Sequence, residues 1–149
     1  MKIFIRPFAI KELKSVPWLV HGTSPKYFEA PGGEKNILLL GQKENSGSSP
    51  RHREWFLRSL NIESDEVFLV KQIHGDRVYV LDDIAKSGND LAEIEADAIV
   101  THLAGKPIGV LTADCIPIIV YDAHLHVAGT VHAGRKGTAE NILSKTIGV

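Results

Sequence analysis

The chain has 149 residues, 44% of them hydrophobic, with 17 Lys and Arg against 18 Asp and Glu for a formal net charge of -1. That length and composition support one ordinary folded domain with a sizeable core. So small a net charge excludes the global field that draws a protein to nucleic acid or to an anionic membrane, which leaves small molecules and other proteins as the expected partners.

Taken in chain order, the opening MKIFIRPFAIKELKSVPW alternates apolar and charged residues. It lacks both the uninterrupted apolar core of a signal peptide and the run of about 20 apolar residues that a membrane span needs, so a cytoplasmic location is expected. Short strands follow, closed by the serine- and glycine-rich loop KENSGSSP at 43–50. Pro50 starts a helix over 51–61, RHREWFLRSLN, in which Trp55, Phe56, Ser59 and Leu60 recur at helical spacing. Arg51, Arg53 and Arg58 lie on its solvated face, with Arg53 a candidate for binding an anion.

Strand signals dominate the second half. EVFLVKQI at 66–73 and RVYVLDD at 77–83 flank a turn at His74, Gly75 and Asp76. Four further strand-like runs, ADAIVTH, PIGVLTAD, IPIIVYD and HVAGTVHA, lead to a tight turn at 134–137 and a helix over 138–147 capped by Thr138. Strands flanked by helices, without the regular alternation of a doubly wound sheet, indicate a single α/β or α+β layered domain with a mixed sheet.

One cysteine and seven histidines bound the soft-ligand chemistry. Cys115 cannot form an internal disulfide, so its open roles are nucleophile, metal ligand, intermolecular partner or small buried hydrophobe. His126 and His132 are six residues apart on one strand, roughly 20 Å, and cannot share an ion. His124 and His126 read as turn residues beside Asp122. His74, Cys115 and His132, by contrast, each sit at a strand end next to a turn, although separations of 41 and 17 residues match no short zinc motif. Two imidazoles and a thiolate suit Zn²⁺ with a fourth position left for water or substrate. The same residues also suit a metal-free nucleophile, Cys115 activated by His132 with Asp114 or another polar group orienting the ring.

Four blocks, KQIHG at 71–75, EADAIVT at 95–101, TADCIPIIVYD at 112–122 and HAGRKGT at 132–138, resemble in order and spacing the laccase-domain family of the YfiH and YlmD type. The resemblance implies a YfiH-like fold and a zinc site of His74, Cys115 and His132. It also implies a purine nucleoside enzyme that cleaves adenosine- and inosine-type nucleosides with phosphate and deaminates adenosine. Zinc lowers the pKa of a coordinated water toward about 7, the chemistry that deamination at C6 of adenine requires. Asp114, beside a ligand, is the candidate proton relay or ligand orienter. The family's older label is multicopper polyphenol oxidase. Several copper centres need more ligands than this chain supplies, so copper is the less favoured metal.

Departures from the family pattern fall on the anion site. HGTSPK at 21–26 and HAGRKG at 132–137 place Lys26 and Lys136 where the family has arginines, keeping charge but losing the planar fork that grips phosphate. Arg135 replaces a tryptophan and adds a cation beside a helix start. Lys26, Arg53, Arg135 and Lys136 are therefore the candidates for substrate and phosphate. The family normally continues beyond this point, so the chain is expected to lack the usual C-terminal third and to expose a sheet edge or apolar face that a second copy would cover. The alternatives that stay open are a metal-free Cys-His hydrolase or amidase, a polyphenol oxidase, and a non-catalytic metal-binding interaction protein.

Overall fold

The structure, a computed structural model, describes residues 5–29, 35–37, 40, 49–64 and 66–149. Most of the loop expected at 43–50 lies outside the described residues. The chain divides into two compact units, Met1–Asp65 and Glu66–Val149.

In the first unit Phe8 and Thr23 form an isolated antiparallel bridge, and a 3-10 turn spans Glu12–Ser15. Strands β1 (Tyr27–Glu29) and β2 (Lys35–Ile37) pair antiparallel, with Phe28 opposite Asn36. Helix α1 covers Ser49–Ser59. Its buried positions are His52 and Leu57, while Trp55, Phe56, Ser59 and Leu60 are half-buried. The shift from the expected face follows from aromatic packing: His52 and Trp55 both meet buried Phe28 edge-on, at centroid distances of 5.3 and 5.4 Å. Arg51 and Arg58 are exposed as expected. Arg53 instead turns inward, and its Nε donates to the Leu40 carbonyl at 2.6 Å.

The second unit is built on a mixed four-stranded sheet of β3 (Val78–Leu81), β4 (Ala98–Thr101), β5 (Ile116–Asp122) and β6 (Val127–Ala133), in the order β3-β4-β6-β5. β3 and β4 run parallel and the other pairs antiparallel. Short helix α2 (Gly88–Leu91) connects β3 to β4 and is closed by a capping box between Ser87 and Asp90. At four residues it is too short to show helical periodicity in sequence. Helices α3 (Arg135–Ala139) and α4 (Ile142–Ile147) follow β6. The single helix expected over 138–147 is thus two. Gly134 caps the first, and Asn141, with φ of 61°, breaks the chain into the second.

Strand alternation sorts the unit's side chains between two cores. Ala98, Val131 and Ala133 face Ile142 of α4, with Val78 and Ile118 at the margin. Leu81 and Ile99 point to the other side and bury Phe68, Val70, Leu91 and Ala96. The β5-β6 hairpin closes on Asp122, whose carboxylate accepts from the backbone N–H groups of Leu125 and His124. Those bonds hold its carboxyl below the usual aspartate value. The turn is therefore secured above that range and loosens as pH falls through it. His124 and His126 lie in this turn, at the end of β6 away from His132.

Two expected strands are absent. Residues 66–73 and 107–114 are extended but switch partners every few residues. Phe68 bonds to Pro107 and Gly109, Lys71 to Ile94 and Ala96, so no ladder propagates. No helix among the described residues is long and apolar enough to cross a membrane.

Ile99 is fully buried at the centre of this arrangement. Ile99→Ala is expected to lower unfolding free energy by about 2–5 kcal/mol in urea denaturation, the usual result of leaving a cavity in a closed core.

Candidate metal centre

The register of the sheet brings two of the expected ligands together. Pro117 of β5 lies opposite His132 of β6, and Ile116 lies opposite Ala133. Cys115 is the residue before β5 and shares the face of Pro117, which makes it a diagonal neighbour of His132. The edge position of β5 is what allows Pro117 within it. Cys115 therefore marks the start of a strand, not the end of the strand expected over 107–114.

His74 arrives from a separate loop. Its backbone is left-handed, with φ of 58°, an uncommon state for a non-glycine residue that costs on the order of 1–3 kcal/mol unless its surroundings hold it. The ring stands edge-on to that of His132, centroids 4.7 Å apart at 89°. The ligand atoms of His74, Cys115 and His132 all lie within 4.8 Å of one another. Exposure is graded across the trio: His132 is buried at 3%, Cys115 half-buried and His74 exposed, so the site opens on the His74 side.

These donors fit a zinc-type ion. Tetrahedral zinc with bonds of about 2.0–2.3 Å holds its donor atoms roughly 3.3–3.7 Å apart, a spacing that three atoms already this close reach by side-chain rotation. Gly134 floors the cluster: a Cβ there would sit 3.4 Å from Cys115 Sγ, 3.5 Å from His74 Cδ2 and 3.7 Å from His132 Cε1.

Two further residues shape the centre, and sequence reading missed both. Asp97, 0% exposed, directly precedes β4. Its Oδ1 accepts from the His74 backbone N–H at 2.9 Å and lies 2.8 Å from His132 Nδ1. Its Oδ2 accepts from the N–H groups of Ile73 at 3.2 Å and Gly75 at 2.8 Å. Gln72 pairs with Leu111 like a peptide group, donating Nε2 to the carbonyl at 2.8 Å and accepting the N–H at 2.7 Å. That pair ties the segment leading into Cys115 to the segment leading into His74. Both residues sit inside motif blocks, and the available signal for Asp97 was an acid set between alanines at the mouth of a predominantly apolar strand.

The remaining candidates are more dispersed. Asp114 is exposed beside Cys115, and the carboxylate bonded to a ligand is Asp97 instead. Arg135 and Lys136 are exposed on α3, the latter 3.9 Å from Glu140. Lys26 and Arg53 belong to the first unit, where Lys26 is exposed with its Nζ 5.4 Å from the Tyr27 ring centroid.

Residues 37–149 match the family described as multi-copper polyphenol oxidoreductase laccase. A purine nucleoside phosphorylase of Clostridium acetobutylicum is 32% identical over 108 residues, which make up 72% of this chain and 41% of that protein. An adenosine deaminase from an unknown prokaryotic organism is 37% identical over 93 residues, 59% of this chain and 35% of that protein. Among solved structures, YfiH of Bacillus licheniformis shares the fold with a TM-score of 0.73 at 22% identity, covering 96% of this chain and 57% of that one. The chain spans less than half the length of the two curated relatives.

Gly137 makes the closest approach between α3 and the His74 turn. A Cβ there would fall on the Gly75 carbonyl oxygen, well inside contact distance, and backbone cannot yield as a side-chain tip can. Gly137→Ala is expected to lose about 1–3 kcal/mol of stability in urea denaturation, as overpacked sites do. An unchanged midpoint would contradict that contact.

Proposed function

The chain belongs to the multi-copper polyphenol oxidoreductase laccase family, and on that premise we propose that it contributes the zinc centre of a purine nucleoside enzyme. The activities are phosphate-dependent cleavage of adenosine- and inosine-type nucleosides and deamination of adenosine. The names of its relatives support the substrate class. The single observation that carries the reading is the convergence of His74, Cys115 and His132 donor atoms within 4.8 Å.

A zinc ion would be held by His74, Cys115 and His132 and would supply a Lewis acid that polarises water or substrate. His132 presents Nε2, because Nδ1 is engaged by Asp97. Cys115 would offer its sulfur as a further donor, and exposed His74 stands at the mouth through which a nucleoside enters. In phosphorolysis the N9–C1′ bond breaks, a phosphate oxygen bonds to C1′, and the departing base takes up a proton. The anion requires cations, and Arg135 and Lys136, on the helix that begins directly after Gly134, serve that role. Lys26 and Arg53 are assigned the same role from their sequence context. Asp114 is the proton relay of this reading, and the purine nucleoside enzyme is cytoplasmic. The edge position of β5, whose first residue Ile116 is 64% exposed, supports association with a second copy.

The ligand inventory argues against a multicopper oxidase. The described residues hold one His/Cys/carboxylate cluster, and the whole chain has one cysteine. A lone His₂Cys set is also the donor set of copper electron-transfer sites, so metal identity is the discriminating measurement. A second reading, the metal-free Cys-His hydrolase, is favoured by one specific observation: Cys115, His132 and Asp97 stand in the order nucleophile, base, orienting carboxylate.

Purified protein is expected to carry close to one zinc ion per chain and to release hypoxanthine from inosine only when phosphate is added. Cys115→Ser, His74→Ala and His132→Ala are each expected to lose the metal, with activity falling at least about 100-fold. Arg135→Ala and Lys136→Ala are expected to raise the KM for phosphate while leaving metal content intact. Full turnover by the chelated protein, abolished by alkylation of Cys115, would establish the hydrolase instead.

A further inference from the structure

We propose that Asp97 is the positioning residue of the centre, acting on two ligands at once: it selects the tautomer of His132 and holds the backbone of His74 in its left-handed state. The inference deepens the metal-centre reading and rests on it for the affinity arm of its test.

An ionised carboxylate is acceptor-only and offers about four lone-pair sites. Asp97 receives four groups, two on each oxygen: the His74 N–H and His132 Nδ1 on Oδ1, and the Ile73 and Gly75 N–H groups on Oδ2. At 0% exposure no water competes for these sites. A bare ring nitrogen 2.8 Å from Oδ1 would set lone pair against lone pair, so Nδ1 carries the proton. The Nε2 lone pair is then free to bind a metal ion or to accept the proton of Cys115.

The same carboxylate gathers three consecutive backbone N–H groups, and the middle one belongs to the residue with φ of 58°. Backbone amides converging on an anion offset the cost of that conformation, and the left-handed state in turn sets where the His74 side chain leaves the main chain. The backbone of Asp97 makes a further connection: its carbonyl accepts the His132 N–H at 2.7 Å. The spacing between two ligands that are 58 residues apart in sequence thus passes through one side chain.

Asn is isosteric but replaces one acceptor oxygen by a donor, which would face N–H groups. Asp97→Asn is therefore expected to weaken zinc binding about 10–100-fold, as loss of a carboxylate partner does at other metal-bound imidazoles, and Asp97→Glu to recover part of it. Glu95→Gln, which alters only exposed ion pairs to Lys71 and Arg77, is expected to bind as the parent does. The decisive readout needs no metal. In ¹⁵N-labelled metal-free protein above about pH 8, where an ordinary imidazole is neutral, long-range ¹H–¹⁵N correlation is expected to show His132 protonated on Nδ1. Asp97→Asn is expected to populate the Nε2–H form.

An Nε2–H parent ring, or an Asp97→Asn protein with unchanged tautomer and zinc affinity, would overturn the proposal. If Asp97→Asn fails to fold, the parent spectrum still decides it. A parent protein that binds no zinc yet shows the Nδ1–H ring would remove the metal reading and leave the positioning role standing.

Discussion

A buried carboxylate with all its acceptor sites filled is the constraint on which the second unit depends. Burying a polar group without partners is costly, and Asp97 is tolerated at the head of β4 because three backbone N–H groups and the His132 Nδ1 converge on it. Removal of any one of them leaves an acceptor unmet inside the protein, so the groups that supply them are held together as a set. That set contains the ring of one candidate ligand, His132, and the backbone of another, His74, while the Asp97 carbonyl accepts the His132 N–H just ahead of the first β4–β6 pairing, Ala98 with Val131. Fold and site are in this sense built from the same hydrogen bonds.

The sheet contributes the rest of the geometry through register. A one-residue slip between β5 and β6 would turn Cys115 to the opposite face from His132. Packing opposes such a slip: Ile118 of β5 packs on the same core as Val131 and Ala133 of β6 and Ile142 of α4. Close backbone approach completes the arrangement. Gly134 leaves room among three ligand side chains, and Gly137 lets α3 lie directly against the carbonyl of Gly75. The outcome is a centre anchored at the buried His132 and open at the exposed His74, a gradient that suits a ligand arriving from solvent.

His74, Cys115 and His132 stood out in sequence because soft ligand types beside turns are few in a chain with one cysteine, and because the motif blocks that hold them resemble one family. Strands β3 to β6 were legible because their apolar, β-branched runs are bounded by turn residues. The expected strands at 66–73 and 107–114 carry the same composition, yet their backbone bonds are divided among several partners. Composition reports strand-forming residue types and is silent about whether a ladder continues. Helix α2 and the break between α3 and α4 were hidden for a related reason, since elements of four to six residues make fewer than two helical turns and show no repeat of the period.

The carboxylate partner of the site shows where local reading stops. Asp114 drew notice by adjacency to Cys115 and is exposed, whereas Asp97 lies 35 residues before His132 and bonds to it. Sequence by itself determined the ligand types, the layered mixed α/β class and the near-neutral charge, all of which follow from residue chemistry and short-range pattern. Tertiary structure alone decided that the three ligands meet, which carboxylate supports them, and which of the cations belong to the same compact unit as the centre. Those are matters of strand register and hydrogen-bond closure between segments far apart in the chain, and no local pattern encodes them.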